Sequence, residues 1–332
     1  MNLPSALSDF FKDRFGREVT ETGSVGGGCI NETTRVSLDD GSRYFVKQNR
    51  ISLRDMFEKE AMGLRILEDG TGGPGQNDDP GQTANSGENS RRGQSGPPGK
   101  SDAQARVGEG RHAGEIRIPG VVGITDDAAA GQAFLILDFV EEGRSTGDFD
   151  RRFGRALAGL HRHTAPSYGL DHDNYIGRLP QKNDFRDSWT DFFIDCRLEP
   201  QFAMARERGF FGGSARQSLD RLAKRLPDLL PDEPPSLLHG DLWGGNYLCD
   251  SDNRPVLIDP AVYYGHREAE LAFTTMFGGF GRGFYTGYEE AWPLHPGFRD
   301  RCDIYNLYPL LVHVNLFGGM YVSQTEAILS RF

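Results

Sequence analysis

Two aspartates and an asparagine at fixed spacing pose the chemical question of this sequence. His239-Gly240-Asp241-Leu242-Trp243-Gly244-Gly245-Asn246 is followed by Asp259, which closes the apolar run Pro255-Val256-Leu257-Ile258. A carboxylate, an amide and a second carboxylate in this order suit phosphoryl transfer. That reaction needs a carboxylate to orient an attacking hydroxyl and take its proton, and oxygen ligands for the magnesium that neutralises a triphosphate. Asp241 suits the first role. Asn246 and Asp259 suit the second, because Mg2+ takes a few hard oxygen donors alongside phosphate and water. A strand–turn–strand from 246 to 259, turning near Asp250–Asn253, would bring amide and carboxylate together. His239 reads as a hydrogen-bonded support of the loop rather than a second base. Taken alone, the same residues also suit an ordinary polar hairpin whose Asp and Asn only make turns.

Features upstream weigh against the plain hairpin. Lys47 ends the apolar run Tyr44-Phe45-Val46, and it is one of only six lysines against thirty-one arginines. A lysine held on a strand can reach the α- and β-phosphates, and Glu60 on the next helix can orient it through an ion pair. Gly26-Gly27-Gly28 lies a short way before that strand, and glycines let backbone N–H groups approach phosphates closely. This is neither GxGxxG nor a Walker A sequence, so a plain turn is the simpler reading of the glycines alone. The strand ending at Leu137 runs into a connector where the carbonyl of Asp138 and the N–H of Val140 are placed to bond an adenine. Cys29 follows the three glycines directly. Oxidation there, or pairing with a second chain, would close a phosphate site, although a small half-buried residue is the simpler reading.

The elements that must position these residues follow from periodicity. Leu3, Leu7, Phe10, Phe11 and Phe15 recur at helical spacing. Thr34–Leu38 and Arg43–Lys47 predict two strands joined by Asp39-Asp40-Gly41, a hairpin-turn composition. Ser52 and Asp55 resemble a capping box before a helix with Phe57, Ala61, Leu64 and Leu67 on its apolar face. Residues 70–115 then lose all pattern. Gly70 to Gly114 holds twelve Gly and four Pro, with no aromatic residue and no Leu, Ile or Met, which predicts a disordered insertion. Order returns at Ile116–Ile124, and Ala133–Leu137 predicts a buried strand. Helical spacing follows from Phe153 to His161, over Trp189–Arg208 and over Ser214–Leu226, and the Phe- and Tyr-rich last third is also helical in pattern. The expectation is an α+β chain of two lobes. An N-terminal nucleotide-binding lobe of antiparallel strands with a helix spans 1–138, a linker spans 139–143, and a larger, mainly helical catalytic lobe spans 144–332.

Bulk composition narrows the setting. A net charge of −11 argues against a partner bound through nucleic-acid phosphates. No apolar run is long enough to span a bilayer, the start lacks a signal-peptide layout, and the four cysteines form no CxxC pair. A cytoplasmic protein, monomer or homodimer, without membrane or zinc, is expected.

In this order the segments GGGCIN, YFVK, MFEKEAMGL, HGDLWGGN, LIDPAVYYGHREAELA and FGGFGRGFYTGYEEAWPL resemble the fructosamine kinase (ketosamine-3-kinase) family. That family is a branch of the aminoglycoside-phosphotransferase-like, protein-kinase-like fold. The resemblance covers nearly the whole chain except Gly70–Gly114. It implies Asp241 as base, Asn246 and Asp259 as metal ligands, Lys47 as the phosphate-binding lysine and Glu60 as its partner. It also implies Trp243 as a flat apolar face for a sugar ring. The implied reaction is ATP- and Mg2+-dependent phosphorylation of a ketosamine on the hydroxyl of its third carbon, after which the adduct releases its amine. Two alternatives stay open: a kinase of another small molecule (an aminoglycoside, choline or another sugar), and a catalytically dead nucleotide-binding regulator. LIDPA stands where a protein kinase has DFG, so a protein hydroxyl presented by an activation loop is not expected. Glu268 is expected to hold Arg267 or a loop backbone.

Overall fold

The computed structural model describes residues 4–26, 31–72 and 116–332. Helix α1 (Ser5–Phe15) leads into β1 (Val19–Ser24), β2 (Glu32–Leu38) and β3 (Arg43–Arg50), and then into α2 (Arg54–Thr71). Strands β4 (Val121–Asp127) and β5 (Gln132–Asp138) complete an antiparallel sheet in the order β1-β2-β3-β5-β4. The alternation along β5 shows why both faces are covered. Phe134 and Ile136 meet Leu7, Phe11, Val36 and Val46 on the α1 side. Ala133, Leu135 and Leu137 meet Phe57, Ala61, Leu64 and Leu67 on the α2 side. A strand buried on both faces reads as one continuous apolar run, and each large side chain so buried contributes about 1.5–3 kcal/mol.

Three sequence expectations need correction here. Ser52 does not cap α2: it lies in a 3-10 turn (Ile51–Leu53), the helix starts from Leu53, and no side chain caps it. Asp55 instead accepts the Tyr175 hydroxyl at 2.8 Å. Helix α2 also runs on through Gly70 to Thr71, past the expected start of the insertion, because Gly70 is buried against Leu237 and Leu160. The remainder of the expected insertion lies outside the described residues. Strand β1 was not expected. Its sequence, VTETGS, has one apolar side chain and sits at the sheet edge, where pairing with β2 rather than burial defines it.

After β5 the chain is mainly helical. It comprises α3 (Phe149–His161), the pair β6 (Asn174–Ile176) and β7 (Leu179–Gln181), α4 (Trp189–Phe192), a π-helical turn (Phe193–Leu198), α5 (Glu199–Glu207) and α6 (Gly213–Leu229). Four short strands follow, β8 (Ser236–Leu238), β9 (Tyr247–Cys249), β10 (Pro255–Leu257) and β11 (Tyr263–Gly265). Helices α7 (Arg267–Thr274), α8 (Arg282–Ala291), α9 (Phe298–Tyr305), α10 (Leu307–Phe317) and α11 (Met320–Leu329) complete the fold. No helix among the described residues is long and apolar enough to cross a membrane.

Two separate crossings join the β-rich and helical parts, and both grip the β9–β10 hairpin. The Arg117 N–H donates to the Pro255 carbonyl and the Leu257 N–H to the Arg117 carbonyl, so residue 117 extends the hairpin. The linker after β5 does the same from the other side, with Gly143 N–H on the Cys249 carbonyl and Ser251 N–H on the Glu141 carbonyl. Asp250, fully buried in the hairpin turn, accepts the N–H groups of Asp252 and Arg254 and pairs with Arg254 and Arg117. A single core then runs through both parts, from Phe57 and Leu137 to Phe153, Leu237, Leu242 and Val262.

Candidate active site

The residues singled out by spacing converge around one short loop. Strand β8 ends at Leu238, and the loop His239–Asn246 leads into β9, which pairs antiparallel with β10, Tyr247 opposite Leu257. Ile258 N–H donates to the Asn246 carbonyl at 3.1 Å, which sets Asn246 beside Asp259 as the strand–turn–strand reading requires. The turn falls at Asp250–Asn253, with Asn253 at φ 59°. Gly240 has φ 84°, and a Cβ there would lie 2.0 Å from the Ala261 carbonyl oxygen, so only glycine fits before Asp241.

Asn246 Nδ2 donates both to the Asp241 backbone carbonyl (2.8 Å) and to Asp241 Oδ2 (2.9 Å). With its nitrogen used this way, the amide has its oxygen to offer a cation. Burial, the neighbouring Asp259 charge and, more distantly, Glu270 push the Asp241 pKa well above the usual carboxylate range, against the Asn246 hydrogen bond. Asp259 adopts φ 56°, the left-handed conformation that Asp tolerates better than most residues. It pairs with Lys47 Nζ, which also donates to Glu60 Oε1 at 2.6 Å. Helix α2, which carries Glu60, passes close over the loop after Asp259, with Gly63 against Val262 and Pro260. Burial opposes the Lys47 charge, but Glu60 and Asp259 outweigh it and hold the ammonium above the ordinary lysine range. Burial raises the Glu60 pKa, with Lys47 pulling the other way.

His239 is fully buried and neutral by burial. Its Nε2–H donates to the Ile258 carbonyl at 2.8 Å, and its Nδ1 accepts the Asp241 N–H at 3.3 Å. It therefore ties the two acid-bearing loops together, as a support and not as a base. Trp243 is 39 % exposed with its ring over Gly245, so core packing does not explain it. A narrow cavity of about 30 Å³ abuts Asp241 and is walled by Gly240, Tyr263, Phe273, Tyr308 and Val312. Gly26 is exposed in the turn after β1, where Val25 and Thr33 bond each other. Gly27, Gly28 and Cys29 lie outside the described residues. Asp138 ends β5 with its N–H on the Gly120 carbonyl, and Val140 follows in the linker.

The sequence missed the group that anchors the loop. Glu270 of α7 accepts the N–H of Gly240 (2.7 Å) and of His239 (3.2 Å), and a bond from His161 Nε2 (2.8 Å). His161 Nδ1 in turn meets the Tyr288 hydroxyl at 2.8 Å. Burial opposes the Glu270 charge, yet His161, His239 and the Gly240 N–H bring its pKa below the ordinary value. The expected role of Glu268 is corrected. It takes a bidentate bond from Arg301 at 2.7 and 2.8 Å, while Arg267 pairs with Glu233, because α7 turns Glu270 and not Glu268 toward the loop.

Helix α7 starts at His266, whose Nδ1 accepts the Glu268 N–H and whose Nε2–H donates to the Pro231 carbonyl, both at 3.1 Å. That arrangement needs a neutral ring, and burial pulls the His266 pKa down to about 3 from 6.5. Between those values the unfolded chain holds the extra proton, so folding stability falls as pH drops below 6.5. The slope from this one group is about 1.4 kcal/mol per pH unit. Denaturant unfolding at pH 7, 6 and 5 should show a shallower acid loss in His266→Asn, which keeps a capping oxygen. An unchanged slope would refute this account.

A small antiparallel sheet flanked by α1 and α2, a helical lobe and an Asp–Asn–Asp–Lys set between them define a phosphotransferase of the protein-kinase-like fold. The fructosamine kinase family model matches residues 4–73 and 108–332, and the chain belongs to that family. It is 35 % identical to a "Probable ketoamine kinase" of Synechocystis sp. over 314 residues, 94 % of this chain and 90 % of the relative. It is 34 % identical to the chloroplastic protein-ribulosamine 3-kinase of Arabidopsis thaliana, covering 95 % and 83 % of the two chains. A crystal structure from Haemophilus somnus assigned as a fructosamine-3-kinase superposes with a TM-score of 0.77 at 27 % identity, over 98 % of this chain and 96 % of the other. The choline kinase LicA of Streptococcus pneumoniae shares the fold at 14 % identity, with a TM-score of 0.56 over 98 % of each chain.

Proposed function

We propose that this chain transfers the γ-phosphoryl group of ATP to the hydroxyl on the third carbon of a ketosamine, the adduct of a sugar and an amine. The observation that carries the reading is the convergence of Asp241, Asn246, Asp259 and Lys47 in a chain of the fructosamine kinase family. Asp241 accepts the proton as the acceptor oxygen attacks, and the bond from phosphorus to the β-phosphate oxygen breaks to release ADP. The raised Asp241 pKa suits that role, since a base nearer the working pH takes a proton more readily. Asn246 Oδ1 and Asp259 are hard oxygen donors that fit Mg2+, which when bound neutralises triphosphate charge. Lys47, kept charged and oriented by Glu60, addresses the α- and β-phosphates. Gly26, Gly27 and Gly28 border the phosphates, Asp138 and Val140 the adenine, and Trp243 the sugar. In this reading residues 1–138 hold the nucleotide, 139–143 link, and 144–332 hold the acceptor.

The acceptor rim favours a ketosamine over a polycationic antibiotic. Besides Asp241, the one charged residue lining the cavity is Glu270, whose carboxylate is already engaged by His161 and the N–H groups of Gly240 and His239. An aminoglycoside would call for carboxylates there. The released adduct then decomposes, so the role is deglycation. The free Cys196, Cys249 and Cys302 fit a reducing cytoplasm. Phosphate transfer from ATP to fructosyl-lysine, ribulosyl-lysine and kanamycin, measured side by side, tests the reading. Turnover is expected on the two ketosamines, and turnover on kanamycin alone would overturn it.

A further inference from the structure

Among the described residues, three of the four most exposed aromatic side chains, Trp243, Phe277 and Phe317, fall in one connected set, while Phe185 stands apart. Trp243 stands edge-on to Phe277 at 6.4 Å, Phe277 meets His313 at 4.8 Å, and His313 meets Phe317 at 5.6 Å and Tyr321 at 4.9 Å. Met320, also exposed, opens α11 one residue before Tyr321. Trp243 and Phe277 are each 39 % exposed, Phe317 62 % and Met320 66 %, whereas most other large apolar side chains are buried. Single exposed apolar residues need no explanation, but a connected ridge marks a binding surface. This one starts two residues from Asp241, and His313 and Phe273 at its root wall the same cavity as Asp241. It is also uncharged. His313 bonds the Pro309 carbonyl at 2.7 Å, and burial holds its pKa below the usual value.

We propose that the ridge from Trp243 through Phe277 and His313 to Phe317, Tyr321 and Met320 binds the amine half of the substrate, and selects ketosamines whose amine carries a long apolar or aromatic arm. The proposal rests on the ketosamine reading above and names the substrate class within it. With the sugar hydroxyl at Asp241, the amine-linked carbon lies beside Trp243. The secondary ammonium of a ketosamine is a single cation, which an indole face accommodates without a carboxylate. Whatever the amine bears must leave the site along a surface, and the ridge is the one contiguous with Trp243. Its rings and thioether gain by covering methylenes or an aromatic group, and gain nothing from a short polar arm.

The test uses ATP with two defined acceptors, the fructose adducts of hexylamine and of glycine, on wild type and on the double variant Phe317→Ser/Met320→Ser. Both substituted side chains are mostly exposed, so folding is retained. Wild type is expected to favour the hexylamine adduct in kcat/KM. The double variant should lose about tenfold of that preference through KM, with the glycine adduct turned over as before. An unchanged preference overturns the proposal while leaving the ketosamine reading in place. Absence of turnover by wild type on both adducts and on ribulosyl-lysine refutes both. Sedimentation velocity closes the remaining route: a wild-type dimer that the double variant dissolves would give the ridge to a second copy and overturn the assignment.

Discussion

Asp241→Asn should lower kcat by about 10²–10⁴-fold while leaving the dissociation constant for ATP nearly unchanged. The amide has the shape of the carboxylate and can still accept the Asn246 Nδ2 bond, but it cannot take the acceptor proton. Lys47 with its partner Glu60, and Asp259 as the proposed metal ligand, are untouched. The variant should also fold at least as stably as wild type. In the folded chain Asp241 is buried beside Asp259, and its pKa is raised, so its charge costs folding free energy at neutral pH. Neutralising it relieves that cost. A variant that is slow, binds ATP and unfolds at the same or higher denaturant concentration is the expected result. Normal turnover would remove Asp241 from the proposed base role.

The second large effect is expected at Glu270, which touches no proposed substrate atom. Glu270→Ala takes the acceptor from the buried His239 N–H and His161 and from the part-buried Gly240 N–H. Each buried donor left without a partner costs about 1–3 kcal/mol. Loss of one member of a buried charged set commonly costs about 3–5 kcal/mol in total. The denaturant midpoint should therefore drop sharply. Glu270→Gln separates positioning from stability. It keeps one acceptor oxygen and most of the packing, but loses the negative charge and one of the two oxygens shared by Gly240 and His239. It should recover much of the midpoint while kcat remains below wild type with KM for ATP little changed. Full recovery of kcat with the midpoint would show that Glu270 acts on the fold alone.

How far the sequence discloses this site depends on what each residue is held by. Asp241, Asn246 and Asp259 were legible because local geometry joins them: one hairpin, paired over three residues, sets the amide beside the second acid. Lys47 and Glu60 were legible because their strand and helix have clean periodicity: in β3 Tyr44 and Val46 face the α1 side, and α2 buries Phe57, Ala61, Leu64 and Leu67. Glu270 was not. It acts on backbone N–H groups thirty residues away, and nothing at 239–240 in the sequence records which acid accepts them. Glu268, two residues earlier on the same helix, was the wrong choice, and Arg301 explains where its charge goes. The capping box failed for a related reason: a 3-10 turn precedes α2, so Ser52 is too early to cap it. Strand β1 was hidden by its polar sequence, since an edge strand is defined by its partner. The three-residue strands β6 to β11 are set by tertiary contacts that periodicity cannot show.

The two crossings between the lobes have a consequence for how the gene can change. Helix α2 ends with Gly70 buried against Leu237 and Leu160, and the chain is fixed again at Arg117 on β10. The family match breaks off at residue 73 and resumes at 108, between those two anchors. Both ends of the intervening stretch are therefore held by residues that follow β5, namely Leu160, Leu237 and the β10 strand. For a flexible connection between two fixed ends, each doubling of length costs about 0.6 kcal/mol of loop-closure entropy. Replacing residues 74–107 with a reporter domain is expected to leave ATP turnover intact, and loss of turnover in a folded chimera would show that this stretch serves the site.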